Sequence, residues 1–405
     1  MKVLQICSHF SIHYPGGITK YVKTLSSSLS KSGVSVSILS GELDELQDIE
    51  IFTYKPKNVK PYSLSFNQSD ESLNQLFEYL KKNNFDIIHI HATGDLPLDF
   101  YQKIQLLNTK YIVSLHDYYL ICPRIFMIDK FNNICHKVEI EKCKSCIGLF
   151  ESNDFLFRLG RKLDFRYPTI KSNNTQKRLE IMKTFLENAS LLLPVSNKVK
   201  DIFYDLCPTD NYRVLHIGNE SANLDNAVQK QSDKIRLSFL GTLNIHKGED
   251  ILFNILSEID TNRIQVNFYG RASKQTIKKF SNKKIKFKGS YTPDKLKNIM
   301  ENTDLGLVLP IWEDNAPQVV MEFLNFGIPV IGTHRGGLPD FIDHKINGYL
   351  FDPEQKREIE NVIQWINSID DKKITYLKKN IKKLKTPEKH AKEIVEIYNK
   401  INGNP

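Results

Sequence analysis

Apolar residues along the chain fall into two rhythms. Some form short runs bounded by turn residues, and others recur every three or four positions. The first rhythm marks a strand buried on both faces, the second a helix with one face on a core. Lys2–Ser8, Val34–Ser40, Asp86–His91, Tyr111–Leu115, Leu191–Ser196 and Arg213–Gly218 are predicted strands of the N-terminal half. Gly16-Gly17 breaks the chain after the first of them, and Ile18, Tyr21, Val22, Leu25 and Leu29 then keep helical spacing up to Gly33. A helix is also expected over Gln176–Leu186. Ser221–Lys234, polar and poor in large apolar side chains, reads as a linker. The strand pattern restarts at Ile235–Leu240 and continues through Gln265–Tyr269, Ile285–Gly289, Leu305–Leu309 and Pro329–Gly332, with a helix near Pro293–Asn302 and a turn and strand at Asn347–Phe351. This alternation predicts an α/β protein with parallel sheets: a first domain over 1–221 with an insertion at about 122–190, a second over 235–385, and a last helix over 386–405. That helix begins at Pro387 and carries Ile394, Ile397, Tyr398 and Ile401 on one stripe, which either returns to the first domain or lies on the second.

The second domain centres on Val308–Gly332. Pro317 suits the first turn of a helix, Gly327 its C-cap, and Pro329–Gly332 the next strand, giving a β-α-β unit. Glu322 stands among Val319, Val320, Met321, Phe323, Leu324 and Phe326, so the helix is apolar nearly all round and its carboxylate is expected to be buried. A carboxylate there needs an internal base or a ligand hydroxyl, because an unpaired buried charge is costly or takes up a proton. Asp314, at the helix start, either caps the first-turn amides or shares a polar ligand site with them.

Composition narrows the partners. The 405 residues carry 56 Lys and Arg against 47 Asp and Glu, a formal charge of +9 that suits an anionic nucleotide or an anionic membrane surface. Runs such as Lys278–Lys288 and Lys372–Lys392 also fit solvated faces. No zinc-finger, RRM or basic-zipper pattern occurs, so nucleic acid is not an expected partner. No run of eighteen apolar residues appears, and Met1–Ser8 leads into a strand rather than a signal peptide, so a cytoplasmic location is expected. Four of the six cysteines, Cys122, Cys135, Cys143 and Cys146, fall within twenty-five positions. In a reducing compartment a C-x-x-C with two more cysteines favours a structural zinc over disulfides; reduced thiols or a redox pair at Cys143 and Cys146 are the alternatives.

Asp314 and Glu322 are eight positions apart, with Asn315-Ala316-Pro317 directly after the first and Gly327-Ile328-Pro329-Val330 after the second. This pattern resembles the sugar-nucleotide site of glycosyltransferase family 4, the retaining enzymes of the GT-B fold. The family has Glu where this chain has Asp314, with Glu313 beside it as a substitute. The resemblance implies two Rossmann-like domains with parallel sheets facing a central cleft. It also implies transfer of a sugar from a nucleotide-diphosphate sugar to an acceptor hydroxyl, with anomeric retention, in polysaccharide or glycoconjugate synthesis.

By the same resemblance His116 contacts the transferred sugar, and His116, Lys247 and Asp314 form the catalytic set. The donor is held by Gly16, Gly17, Thr242, Lys247, Arg271, Asn315, Ala316, Pro317, Gln318 and Glu322, with Glu322 on the ribose. The family usually carries Arg where Thr242 stands, and Arg271 either compensates or is a surface residue. His89 and His91 share a strand face and read as structural or as a minor part of the acceptor side. No D-x-D motif occurs, so no catalytic metal is expected; Lys247, Arg271, helix N-termini and loop amides would meet the leaving-group charge. The acceptor is expected to be a sugar, a lipid-linked or a small-molecule acceptor. The basic, aromatic stretch Phe155–Tyr167 suggests peripheral contact with the inner face of the membrane. Two other classes stay open: a sugar-nucleotide-binding or scaffold protein of the same fold, and a zinc-bearing nucleic-acid module within Cys122–Cys146.

Overall fold

The computed structural model of the chain describes residues 1–8, 16–41, 46, 48–54, 71–94, 96–146 and 173–403. It divides into one unit of Met1–Ile217 together with Pro387–Pro405, and a second of Gly218–Thr386.

The first unit holds a sheet of β1 (Lys2–Cys7), β2 (Ser35–Ser40), β3 (Glu50–Thr53), β4 (Ile87–Ala92), β5 (Lys110–Leu115) and β6 (Leu191–Pro194), in the order β3-β2-β1-β4-β5-β6. Every pairing is parallel. The chain winds outward from β1 on one side and then returns to wind outward on the other, so the order reverses between β1 and β4. Ligands of open parallel sheets collect beyond the strand ends at such a reversal. Helix α1 (Gly17–Lys31) follows β1 and buries Tyr21, Val22, Leu25 and Leu29, the residues that kept helical spacing. Arg213–Gly218, expected as a strand, is not one. Arg213 and Leu215 donate amide hydrogens to Leu192 and Pro194 along β6, but only a single bridge forms at Tyr212.

The second unit repeats the plan with β7 (Ile235–Leu243), β8 (Ile264–Ala272), β9 (Ile285–Phe287), β10 (Leu305–Val308), β11 (Val330–Thr333) and β12 (Gly348–Phe351), in the order β12-β11-β10-β7-β8-β9. Its reversal lies between β7 and β10. Leu237, Phe239, Val266, Phe268, Leu305, Leu307 and Ile331 fill the core against helices on the sheet faces. The polar stretch after Gly218 is no loose tether. The Ala227 amide donates to Phe326, the Lys230 amide to Glu301, and the buried Ser221 hydroxyl accepts from Asn325 at 2.9 Å.

The final helix (Pro387–Asn402) belongs to the first unit. It packs on α1 and buries His390, Ala391, Ile394, Ile397 and Tyr398. Ile394 is wholly buried. Ile394→Ala should therefore cost the first unit about 2–4 kcal/mol through lost burial and the cavity left behind. Urea unfolding followed on the wild type and the variant measures this, and a cost below about 0.5 kcal/mol would mean the helix contributes little to the core.

Candidate active site

In the second unit the reversal between β7 and β10 carries the charged residues. After β7, the Asn244 side chain accepts the Lys247 amide at 2.9 Å and starts a short 3-10 turn. Gly248 ends it at φ 86, where a Cβ would stand 2.0 Å from the Leu309 carbonyl oxygen, so only glycine lets this turn close on the end of β10. The Lys247 ammonium forms an ion pair with Asp314, which follows β10, and stands 5.5 Å from the Trp312 ring centroid. Asp314 is fixed from behind: its carbonyl accepts the Gly337 amide at 2.8 Å. A Cβ on Gly336, at φ 54, would fall 1.9 Å from that same oxygen. Glu313, the candidate substitute for the first acid, is committed elsewhere, accepting the Gly336 amide at 2.6 Å.

Asn315 and Pro317 are buried and Ala316 partly so; Pro317 serves as N-cap rather than as a first-turn residue, and the helix runs Gln318–Asn325. Glu322 departs from expectation. It is half-buried and lies one turn from Gln318 and beside Val319 on the less covered stripe, because Val320, Met321, Phe323 and Leu324 take the core face. The helix is amphipathic after all. The neighbouring Tyr291, which sequence reasoning did not single out, has its phenol pushed well up, first by burial and then by the Glu322 charge. Thr242 and Arg271 face each other across β7 and β8 and are exposed. They line a groove of about 610 Å³ with His246, Glu249 and Lys279, a groove whose lining does not include Lys247, Asp314 or Glu322.

In the first unit Gly16 caps α1 and Gly17 opens it, both exposed. Gly16 has ordinary backbone angles and nothing within 4 Å of an added Cβ, so its own unit does not require glycine there. His116 follows β5. Its ring lies 4.6 Å from the Tyr21 ring centroid, and its Nε2 is 3.2 Å from His91 Nδ1. Enclosure of the ring lowers its pKa to about 3, although part of the residue stays accessible, so the imidazole is neutral at ordinary pH. The segment beyond it is held by Arg178, a wholly buried residue that sequence reasoning missed: its guanidinium donates to the carbonyls of Leu120, at 3.1 Å, and Tyr119.

All four clustered cysteines line one cavity, with Asp129 and Lys142. Their thiols are reduced, and burial, with the Cys122 sulfur next, pushes Cys143 up to about 11. Among the described residues no three Cys, His, Asp or Glu side chains stand together as a ready ligand set. The stretch 155–167 lies outside the described residues. Among those described, no helix is long and apolar enough to cross a membrane.

Both halves of the chain match family profiles: residues 15–219 that of "Glycosyltransferase Family 4", and residues 220–384 that of "Glycosyl transferases group 1". Together with two parallel six-stranded sheets, these matches define a glycosyltransferase of the GT-B fold. The chain belongs to glycosyltransferase family 4. An uncharacterised glycosyltransferase of Methanocaldococcus jannaschii is 20% identical over 98% of each chain. The sulfoquinovosyl transferase of Arabidopsis thaliana is 25% identical over 35% of this chain and 30% of its own. Among solved structures, a glycosyltransferase of Rickettsia africae has a TM-score of 0.68 at 15% identity, covering 100% of this chain and 99% of that one. The Anabaena protein HepE in complex with UDP and glucose has a TM-score of 0.66 at 14% identity, covering 99% and 100%. At such identities the likeness is one of fold.

His89, His91 and His116 all hold pKa values below the ordinary 6.5, with burial the largest cause in each. Unfolding frees them to bind protons below pH 6.5, whereas folded His116 does so only near pH 3. The unfolded state thus binds more protons in this window, and stability falls as pH falls. Each of the two fully buried rings should contribute a slope of about 1.4 kcal/mol per pH unit. Urea midpoints at pH 7.5, 6.5 and 5.5 test this where carboxylates are still almost fully ionised; a flat profile would mean the folded rings accept protons.

Proposed function

We propose that the chain transfers a sugar from a nucleoside-diphosphate sugar to an acceptor hydroxyl, with retention at the anomeric carbon and without a catalytic metal. The observation that carries the reading is the Lys247–Asp314 ion pair at the β7/β10 reversal, followed by the half-buried Glu322 on the less covered stripe of the next helix. That arrangement offers a cation to the diphosphate and a carboxylate to a ribose hydroxyl, and the absence of any D-x-D motif leaves the phosphate charge to Lys247 and backbone amides. UDP is the first nucleotide to test, since HepE structures contain UDP and UDP-glucose.

In the proposed step the acceptor oxygen bonds to the anomeric carbon on the face from which the phosphate oxygen leaves. The acceptor proton passes to that departing oxygen, and the electron pair of the broken C–O bond stays on the diphosphate. Lys247 would stabilise the added charge. Asp314 holds the ammonium in place and limits its freedom, while His116, uncharged, would contact sugar hydroxyls. The acceptor class is open to a soluble sugar or a lipid-linked one; the membrane reading rests on residues 155–167.

Screening labelled UDP- and GDP-sugars for transfer, then calorimetry and turnover on variants, tests the proposal. Glu322→Gln should weaken donor binding by about 1.5–3 kcal/mol, the worth of a hydrogen bond to a charged group. Lys247→Ala should lose more in turnover than in binding, because phosphate charge grows at the transition state. His116→Ala should bind UDP nearly as the wild type does and turn over slowly. Saturable nucleotide-sugar binding with no transfer to any acceptor would favour the scaffold reading. Wild-type turnover in both His116→Ala and Glu322→Ala would sink the assigned site.

A further inference from the structure

His116 belongs to a buried hydrogen-bond relay that reaches the C-terminal helix. Gln5 Nε2 donates to the Tyr398 hydroxyl at 3.0 Å, and that hydroxyl lies 2.7 Å from His89 Nδ1. His89 Nε2 reaches the Ser114 hydroxyl at 2.8 Å. On the other branch Gln5 Oε1 lies 2.5 Å from His91 Nε2, and His91 Nδ1 lies 3.2 Å from His116 Nε2.

The valence of each group directs the protons. An amide oxygen only accepts, so His91 must carry its hydrogen on Nε2. Burial and the neighbouring imidazoles oppose a second proton on that ring, which leaves a lone pair on its Nδ1. His116 therefore donates from Nε2, and its Nδ1 is the acceptor nitrogen. Tyr398, having accepted from the amide, donates to His89 Nδ1, and His89 donates from Nε2 to Ser114. Gln5 is the pivot: turning its amide over would reverse every donor and move the His116 proton to Nδ1. A second strut comes from the same helix, where His390 Nε2 lies 2.8 Å from the hydroxyl of Tyr21, whose ring packs on His116.

We propose that Gln5, His91 and Tyr398 are positioning residues that fix which ring nitrogen of His116 bears the proton, so that its Nδ1 is the acceptor nitrogen, suited to a sugar hydroxyl rather than to a phosphate oxygen. The sugar contact rests on the function proposed above; the tautomer does not.

The test is nitrogen-15 NMR of histidine-labelled full-length protein, in which two-bond couplings distinguish a proton on Nε2 from one on Nδ1. The His116 resonances are assigned by their loss in His116→Ala. The expected wild-type pattern is Nε2–H. Tyr398→Phe and Gln5→Met, each close in shape to the original, should mix or invert that pattern. They should also lower kcat about tenfold or more for the donor found by screening, while UDP affinity stays within about twofold. A wild-type Nδ1–H pattern overturns the proposal, as does an unchanged pattern with unchanged kcat in both variants. Should Gln5→Met fail to fold, the wild-type pattern and Tyr398→Phe still decide. If His116→Ala turns over normally while the tautomer pattern behaves as expected, the relay stands and the assigned sugar contact fails.

Discussion

A parallel sheet buried on both faces leaves no water for a polar side chain placed in its middle, and Gln5, His89, His91 and Ser114 are among those the first unit places there. Each must find a partner within the fold or lose on the order of 1–3 kcal/mol of stability. Strand neighbours supply some of the bonds, but Gln5 and His89 both need the hydroxyl of Tyr398, which lies more than three hundred residues further along the chain than either strand. The chain therefore closes its first unit with its last helix. The apolar contacts of Ile394 and Ile397 hold that helix down, and the polar ones fix its rotation, since a turn of the helix would carry Tyr398 away from both partners.

The charges of the second unit follow a different logic. Asp314 is largely buried while Lys247 remains over a third accessible, so their ion pair is not a large source of stability. Its value lies in placement. The ammonium is bound at one end to a carboxylate fixed by the Gly336–Gly337 turn, and the Gly248 turn sets its stem against the end of β10. A shorter acid than the family's Glu suits this geometry, because Lys247 reaches across to it and Glu313 is already occupied with the Gly336 amide.

Much of this was legible in the sequence. Parallel strands announced themselves as continuous apolar runs, and Pro317 and Gly327 marked the limits of the helix between them. Burial of Glu322 was misjudged because the run Val319–Leu324 is apolar by composition, and only packing decides which stripe of a short helix meets the core. Arg213–Gly218 was misread for a related reason: it has strand composition, but its amides serve one neighbour on one side. Gln5, Ser114 and His390 gave little local signal. A polar residue in an apolar strand becomes informative only when its partner is known, and the partner here comes from the far end of the chain. Arg178 was equally silent, one arginine on a mixed helix whose role depends on two carbonyls nearly sixty residues earlier.

On the proposed function, each unit supplies a different kind of group: a cation in the second and a neutral imidazole in the first. In that reaction charge is met where a charge is kept: Lys247, partly accessible, would turn its ammonium to the phosphate while the largely buried Asp314 keeps it in place. Sugar hydroxyls, which carry no charge, are better met by a ring whose protonation does not change. Burial holds all three imidazoles neutral, and for His89 and His91 the neighbouring imidazoles oppose an added proton as well. A histidine left in water would titrate near working pH and would attract phosphate as readily as it accepted a hydroxyl. The buried relay would remove that ambiguity, and a loss of stability in acid is its expected thermodynamic consequence.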